Sequence, residues 1–194
     1  PMRRFTSPFT LALFLSAALV GLLAPAQPLP AQEAKGPWKV GGRGPAGGLI
    51  YFDKGNSLGG WRWLEAGPED LASPRPWGPL KVDMAGTSTA LGAGLANTLI
   101  IVRAAGQTES AAALCTRYQA GGFSDWFLPS LDELVLLWDF YHQFQAGGFN
   151  SGAGYWTSSQ HDPGQAWEVF FANGRQYPNG LKSHSLRIRP VRRF

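Results

Sequence analysis

Apolar side chains recur every three or four positions between residues 131 and 144, which predicts an amphipathic helix with one buried face. The predicted buried positions are Leu131, Leu134, Val135, Trp138 and Tyr141. Ser130 and Glu133 stand three residues apart at the start of this segment and predict a capping box. The aromatic run 126–128 just before it predicts a short buried strand.

Two further segments have helical or ambiguous patterns. The alanine-rich segment 108–119 predicts a second main helix, since Thr108 and Glu109 favour a helix start and Gly121 favours its end. The apolar run 97–103 fits either a helix start or a short strand.

Short apolar runs bounded by turn residues predict strands in the first half of the chain. The segments 48–53 and 60–66 flank a Lys-Gly-Asn turn signal, so we expect a β-hairpin. Residues 67–94 are rich in Pro, Gly, Ser and Thr without periodicity, which indicates a long ordered loop. We expect Trp77 to anchor this loop in the core.

The C-terminal part predicts three more strands, at 155–159, 166–172 and 186–192. Along the middle strand, alternation predicts one face in the core and one displayed. The expected core positions are Trp167, Val169 and Phe171, and the expected displayed positions are Glu168, Phe170 and Ala172.

Residues 1–31 have the pattern of a secretory signal peptide. Arg3 and Arg4 precede the apolar run 11–23, and small residues with prolines follow. The run is shorter than the roughly 20 residues that span a bilayer, so we expect no stable membrane span after cleavage. We therefore predict a flexible lead-in at 32–45, one domain at 46–194, and a secreted, cell-surface or periplasmic location.

Charge and cysteine content narrow the function classes. Without residues 1–31 the net charge falls from +4 to +2, too little to indicate nucleic-acid binding. Six Lys and Arg residues near the C-terminus would form a basic rim if they share a face, or they are scattered and paired in the core. The single cysteine, Cys115, excludes an internal disulfide, and its helical context favours burial.

Six spaced, aromatic-rich motifs follow one another over about residues 46–194: GPAGGLIYFDKG, GWRWLEA, GGFSDWFLPSLDEL, YWTSS, AWEVFFANG and LRIRPVRRF. Together they resemble the bacterial domain found at the C-terminus of collagen-like adhesins, the Lcl C-terminal class. The resemblance implies an α+β, C-type lectin-like fold with two main helices, short antiparallel strands and long ordered loops. It also favours a helix at 97–103.

The resemblance implies an exported module for adhesion or ligand binding. The same fold class includes variable proteins of diversity-generating retroelements, whose varied residues lie in a C-terminal strand-and-loop region, and residues 155–194 are arranged similarly. The fold alone does not fix function. We expect a surface protein or a polysaccharide as the partner and no nucleic acid.

The sequence offers little for catalysis. None of His142, His161 and His184 has a second histidine at metal-ligand spacing, and one cysteine cannot supply the pair used by oxidases of this fold class. Sugar-binding calcium signatures such as Glu-Pro-Asn are missing from the sequence. We therefore expect no enzyme, no metal and no cofactor. The alternatives are an enzyme acting on cell-surface polymers and a structural envelope module.

The candidate ligand-binding residues lie in turns or at displayed positions of the C-terminal strands. Phe170 supports this choice of surface, because a large apolar side chain on an outer face is either a binding anchor or covered by a loop. The set is Gln160, His161, Asp162, Gln165, Glu168, Phe170, Arg175, Gln176, Tyr177, Asn179, Lys182 and His184.

Overall fold

The chain forms three α-helices and two small antiparallel sheets in the residues that the computed structural model describes, 37–71, 73–105 and 109–194. The predicted signal at 1–31 lies outside these residues. The helices are α1 (Gly94–Ala105), α2 (Ala111–Arg117) and α3 (Leu131–Phe144). The strands are β1 (Leu49–Asp53), β2 (Trp63–Ala66), β3 (Gly154–Gln160), β4 (Gln165–Phe170), β5 (Arg175–Leu181) and β6 (Val191–Arg193). This arrangement confirms the predicted α+β class.

Helix α3 begins with the predicted capping box. Ser130 Oγ accepts from the Glu133 backbone N–H, and Glu133 Oε2 accepts from the Ser130 N–H at 2.7 Å. The buried face is Leu131, Leu134, Leu137 and Phe140. Val135, Trp138 and Tyr141 are half-buried, so the predicted stripe was rotated around the helix. Trp138 remains at the edge of the core because its indole N–H donates to Phe171 O at 3.1 Å.

The other two helices correct the predicted boundaries. The run 97–103 is helical, within α1. Helix α2 starts after Ser110, whose side chain accepts from the Ala113 N–H, rather than at Glu109; Thr108 lies outside the described residues. It ends at Arg117 because Tyr118 is extended. Gly121 lies farther on, in a turn at φ +58°, where a Cβ would overlap Ala46.

The first sheet joins the two ends of the domain. Strands β1 and β2 form the predicted hairpin, and β6 pairs with β2 in the order β1-β2-β6. The predicted strand 186–192 is reduced to 191–193, since Pro190 has no N–H to donate. Phe127 forms two backbone bonds with Val191, at 2.8 and 2.9 Å, so the run 126–128 is buried but contributes an isolated bridge rather than a strand.

The second sheet has the order β3-β4-β5. Strand β5 was missed because its polar sequence contains Pro178. The predicted parity along β4 holds for Val169 and Phe171, which are buried, but not for Trp167, which is half-buried. Ala166 is buried instead, because the pairing register shifts between Ala166 and Glu168.

Two of the C-terminal arginines, Arg189 and Arg192, are buried. Arg189 is fully buried and pairs with Asp70 at 2.7 Å. Arg192 pairs with buried Glu65 at 3.1 Å and with Asp125 at 2.8 Å. These two arginines are therefore paired with acids inside the domain and do not contribute to a basic rim.

Two single residues behave as predicted. Trp77 is fully buried, and its indole N–H donates to the carbonyl of Thr157 at 2.6 Å, so it anchors the long loop. Cys115 is also fully buried, and burial raises the pKa of its thiol. Both side chains belong to one hydrophobic cluster.

Part of the predicted lead-in is bonded to the domain. Gly41 N–H donates to Ile50 O at 2.8 Å, and the Ala46 and Gly48 N–H groups donate to the Glu65 carboxylate. Residues 41–48 are thus attached to the first sheet through β1 and through one buried acid.

Replacing Ser130 with Ala should cost close to 2 kcal/mol in the free energy of unfolding, at the upper end of cap substitutions. The serine lies in a buried site, caps α3, and also donates to Ala90 O at 2.9 Å. Ser110→Ala is the matched control, since that serine caps the shorter α2 and should cost about 1 kcal/mol. Urea unfolding measures both; equal losses would contradict a special role for the α3 cap.

Replacing Arg192 with Met should cost about 3–5 kcal/mol, because the buried Glu65 carboxylate loses its cationic partner. Arg62→Met is the control. Its ion pair with Asp53 is even shorter, at 2.7 Å, but it is solvent-accessible, so its loss should be much smaller. Thermal or urea unfolding of the two variants compares them, and similar losses would show that burial of the pair is unimportant.

Candidate functional site

The second sheet brings four of the predicted residues onto one surface. In the β4–β5 pairing Glu168 lies opposite Tyr177, and Phe170 lies opposite Arg175. Residues opposite each other on antiparallel strands point to the same side of the sheet. We call the surface formed by Glu168, Phe170, Arg175 and Tyr177 the outer face.

The opposite side of this sheet is core. Tyr155 pairs with Val169, both are fully buried, and both belong to the hydrophobic cluster that includes α3. Trp156 pairs with Glu168 and so lies on the outer side, but it is buried together with Trp77. One end of the outer side is therefore covered by the long loop, while the outer face is left accessible.

The carboxylate of Glu168 is the polar centre of the outer face. It is half-buried and has no hydrogen bond or ion pair with any residue that the structure describes. Burial raises its pKa, although the charge of His184 acts in the opposite direction. Both carboxylate oxygens are free to accept hydrogen bonds.

Two glycines lie beside this carboxylate, and Gly180 leaves the space that it occupies. A Cβ on Gly180 would lie 2.9 Å from Glu168 Oε2 and 2.7 Å from the Trp156 ring. A Cβ on Gly154 would lie 3.5 Å from Glu168 Oε1, which is an ordinary van der Waals contact. Sequence reasoning missed both residues because a glycine contributes space rather than a functional group, and only the strand register reveals where that space lies.

Arg175 and Tyr177 supply a donor and an apolar surface beside the carboxylate. The Arg175 guanidinium is exposed and lies 5.4 Å from the Tyr177 ring centroid. Tyr177 and Phe170 are half-buried, so each presents part of its ring to solvent. The outer face thus combines a hydrogen-bond acceptor, a cationic donor and two aromatic rings.

The turn 160–165 joins β3 and β4 at one end of the same sheet. The N–H groups of His161 and Asp162 both donate to Gln165 O, at 3.0 and 3.1 Å, and Asp162 Oδ1 accepts from the Gly164 N–H. The exposed His161 ring packs edge-on against Trp167, with centroids 5.8 Å apart. Trp167 was predicted to be core; it is half-buried, packs against the core cluster and also contacts the His161 ring.

Lys182 was predicted at a displayed position, and this is wrong. Its side chain is fully buried, and its ammonium group donates to Gln160 Oε1 at 2.7 Å. Gln160 is therefore engaged internally, although part of it is exposed. The error came from treating residue 182 as a loop position, whereas the chain folds back over it.

The remaining predicted residues are exposed but do not lie on the outer face. Gln176 pairs with Val169, so its side chain points to the opposite side of the sheet from the outer face. Asn179 lies where the β4–β5 register shifts, and His184 follows β5. Of these, His184 is the one whose charge acts on Glu168.

The described residues meet the requirements of neither a metal site nor a membrane-spanning helix. No group of three or more His, Cys, Asp or Glu side chains is placed to hold a metal ion in the residues 37–71, 73–105 and 109–194. No helix in that part of the chain has the length and apolar character needed to cross a membrane.

Comparison with known proteins identifies the family. The family model described as the Lcl C-terminal domain matches residues 79–192, which contain all three helices, the second sheet and the start of β6. A search of curated proteins gave no match. The family is a lectin-like domain family rather than a known enzyme family. The three helices and two small antiparallel sheets in the described part of this chain are compatible with a C-type lectin-like fold. The chain belongs to the Lcl C-terminal domain family.

Proposed function

We propose that this chain is an exported, non-catalytic recognition domain that binds a surface protein or a polysaccharide through the outer face and the turn 160–165. The family is one of adhesion-type, lectin-like domains, which supports a binding role. The ligand contacts proposed here rest on the geometry of the second sheet.

The observation that carries the proposal is the unpartnered carboxylate of Glu168. Three other buried or half-buried acids are paired with arginines: Glu65 with Arg192, Asp70 with Arg189, and Asp53 with Arg62. Glu133 and Asp162 instead accept hydrogen bonds from backbone N–H groups. A partly desolvated carboxylate without a partner loses hydration without compensation. A ligand that donates hydrogen bonds to it would restore that compensation, so the arrangement favours binding at this point.

The surroundings of Glu168 have the composition of a binding surface. Aromatic and arginine side chains are the usual anchors of interfaces, and the outer face presents two half-buried rings and one exposed guanidinium. The strands beneath are held by the buried pair Tyr155 and Val169. A rigid scaffold reduces the entropy lost on binding.

Export is part of the proposal and is tested by the mass of the mature protein. Expression of the full chain with a bacterial secretion system should release a species that begins at or near Gln32, because the run 11–23 is too short to remain as an anchor. Intact-mass spectrometry gives the terminus. Recovery of the uncleaved chain in the membrane fraction would contradict export by cleavage.

Replacing Glu168, Phe170, Arg175 and Tyr177 together with serine should abolish binding while the melting temperature changes little, since none of the four is buried. Binding is measured on arrays of bacterial and host surface proteins and of anionic glycans, with the wild-type domain as reference. Retention of the wild-type binding pattern by this variant would reject the outer face as the site.

A matched control removes one base, one acid and two apolar side chains from exposed positions elsewhere. The four changes are Lys39→Ser, Leu58→Ser, Leu99→Ser and Asp139→Ser. This control should bind as the wild type does. If both variants lose binding, the loss reflects general surface properties rather than the outer face.

A further inference from the structure

The ammonium group of Lys182 is enclosed by oxygen atoms of its own chain. The lysine is fully buried, and its Nζ donates to Val82 O at 3.0 Å, Pro163 O at 3.0 Å and Gln160 Oε1 at 2.7 Å. The centroid of the Trp77 ring lies 4.6 Å from Nζ. An ammonium group has three N–H donors, so this oxygen cage uses all of them.

The cage joins three segments that are far apart in the sequence. Val82 belongs to the long loop, Pro163 to the turn 160–165, and Lys182 follows the end of β5. Backbone bonds complete the junction: Lys182 N–H donates to Gly164 O at 3.0 Å, and Trp77 N–H donates to Lys182 O at 2.9 Å. One side chain therefore links the loop, the turn and the sheet.

The partners of this buried charge are neutral. Gln160 extends this hydrogen-bond network toward the surface, because its Nε2 donates to Asp83 Oδ1 at 2.6 Å. Its Oε1 also accepts from the Met84 N–H at 2.8 Å. Burial lowers the pKa of Lys182 to about 8, while Asp162 and Asp83 oppose that shift. Removing the ammonium would leave the carbonyls of Val82 and Pro163 without this donor.

We propose that Lys182 is a positioning residue for the proposed binding surface: its ammonium acts as an internal cation that fixes the turn 160–165 and the loop 77–84. The same oxygen cage would accept a small primary ammonium ion if the lysine side chain were removed. This inference rests on the proposed function only for its effect on ligand binding, because the fixing of the two segments is measurable without a ligand.

Hydrogen exchange of the backbone amides tests the local effect. In Lys182→Met, which keeps most of the side-chain volume, the amides of Trp77, Met84, His161 and Lys182 should exchange about tenfold faster, since each lies at the junction and loses part of its support. Amides of α3 should stay within about twofold of the wild type.

Lys54→Met is the matched control for this measurement. The Lys54 ammonium also lies over an aromatic ring, 4.1 Å from the Trp61 centroid, but the residue is on the surface. Its replacement should leave exchange at the junction unchanged. Unchanged exchange in Lys182→Met, or faster exchange spread evenly over the whole domain, would overturn the proposal.

Chemical rescue tests whether the ammonium group of Lys182, rather than the packing of its side chain, holds the junction together. Lys182→Ala removes the three methylene groups and the amine that together correspond to n-propylammonium. Addition of n-propylammonium chloride should restore the slow exchange of the four junction amides. Tetramethylammonium chloride at the same concentration has the same charge but no N–H donor, and it should restore nothing. Equal effects of the two salts, including equal failure to recover a folded Lys182→Ala domain, would contradict the cage.

Binding to the array ligands of the wild type distinguishes this inference from the proposed function. If Lys182→Met loosens the turn and weakens binding, the result supports both the inference about Lys182 and the proposed function. If it loosens the turn while binding is unchanged, Lys182 does not position the binding surface. If the outer-face variant keeps binding while the exchange result holds, the proposed site fails and the local role of Lys182 remains.

Discussion

The buried carboxylate of Glu133 connects more of the fold than any side chain of the hydrophobic stripe beside it. It accepts from the Ser130 N–H at the start of α3 and from the Gly92 N–H of the loop before α1. Burial raises its pKa, while these hydrogen bonds act against the rise. The charge is thus tolerated because backbone dipoles replace its hydration. A Cβ on Gly94 would lie 2.2 Å from Glu133 Oε2, so the glycine leaves room for this arrangement.

The second sheet is attached to the same point. Ser158 N–H donates to Pro129 O at 2.7 Å, and Leu131 N–H donates to Ser159 Oγ at 3.1 Å, so β3 runs directly against the start of α3. The two hydrophobic clusters then lie on opposite sides of this sheet, one around Tyr155 and the other around Trp156. Because the second cluster covers only part of the outer side, the β4–β5 ladder is left with an accessible surface on a rigid base.

Local signals in the sequence were sufficient for helix α3 and for the hairpin, whereas the pattern of α1 fitted a helix or a strand and the bounds of α2 were corrected. The capping box at Ser130, the hairpin β1–β2 and the burial of Trp77 each follow from a few neighbouring residues. Long-range features were not accessible in this way. Strand β5 is polar and contains a proline, and it forms because β4 offers a paired edge.

The candidate site was predicted in part for the same reason. The alternation along β4 placed Glu168 and Phe170 on the outer side, but Trp167, next to the register shift at Ala166, is only half-buried at the edge of the core. The glycines beside Glu168 have no sequence signal of their own. The burial of Lys182 depends on Val82 and Pro163, which are distant in the sequence and carry no complementary charge.

The internal cations explain why a basic C-terminus does not make a basic surface. The chain has a single cysteine, so distant loops are joined by side chains with several donors instead of disulfides. The Arg189 guanidinium binds Gly67 O, Gly147 O and Asp70, and Arg192 links β6 to Glu65 and Asp125.

Guanidinium and ammonium groups suit this use because their donors can satisfy several carbonyls or carboxylates at once. Most of the positive side chains in the last twenty or so residues therefore form hydrogen bonds or ion pairs with groups of the same domain. What a ligand would meet at the outer face is set by the Glu168 carboxylate, the exposed Arg175 guanidinium and the nearby His184. The net charge of the segment is therefore a poor guide to the charge of its partner. The half-buried Glu168 carboxylate is more informative, because it has neither a counterion nor a hydrogen bond to any described residue.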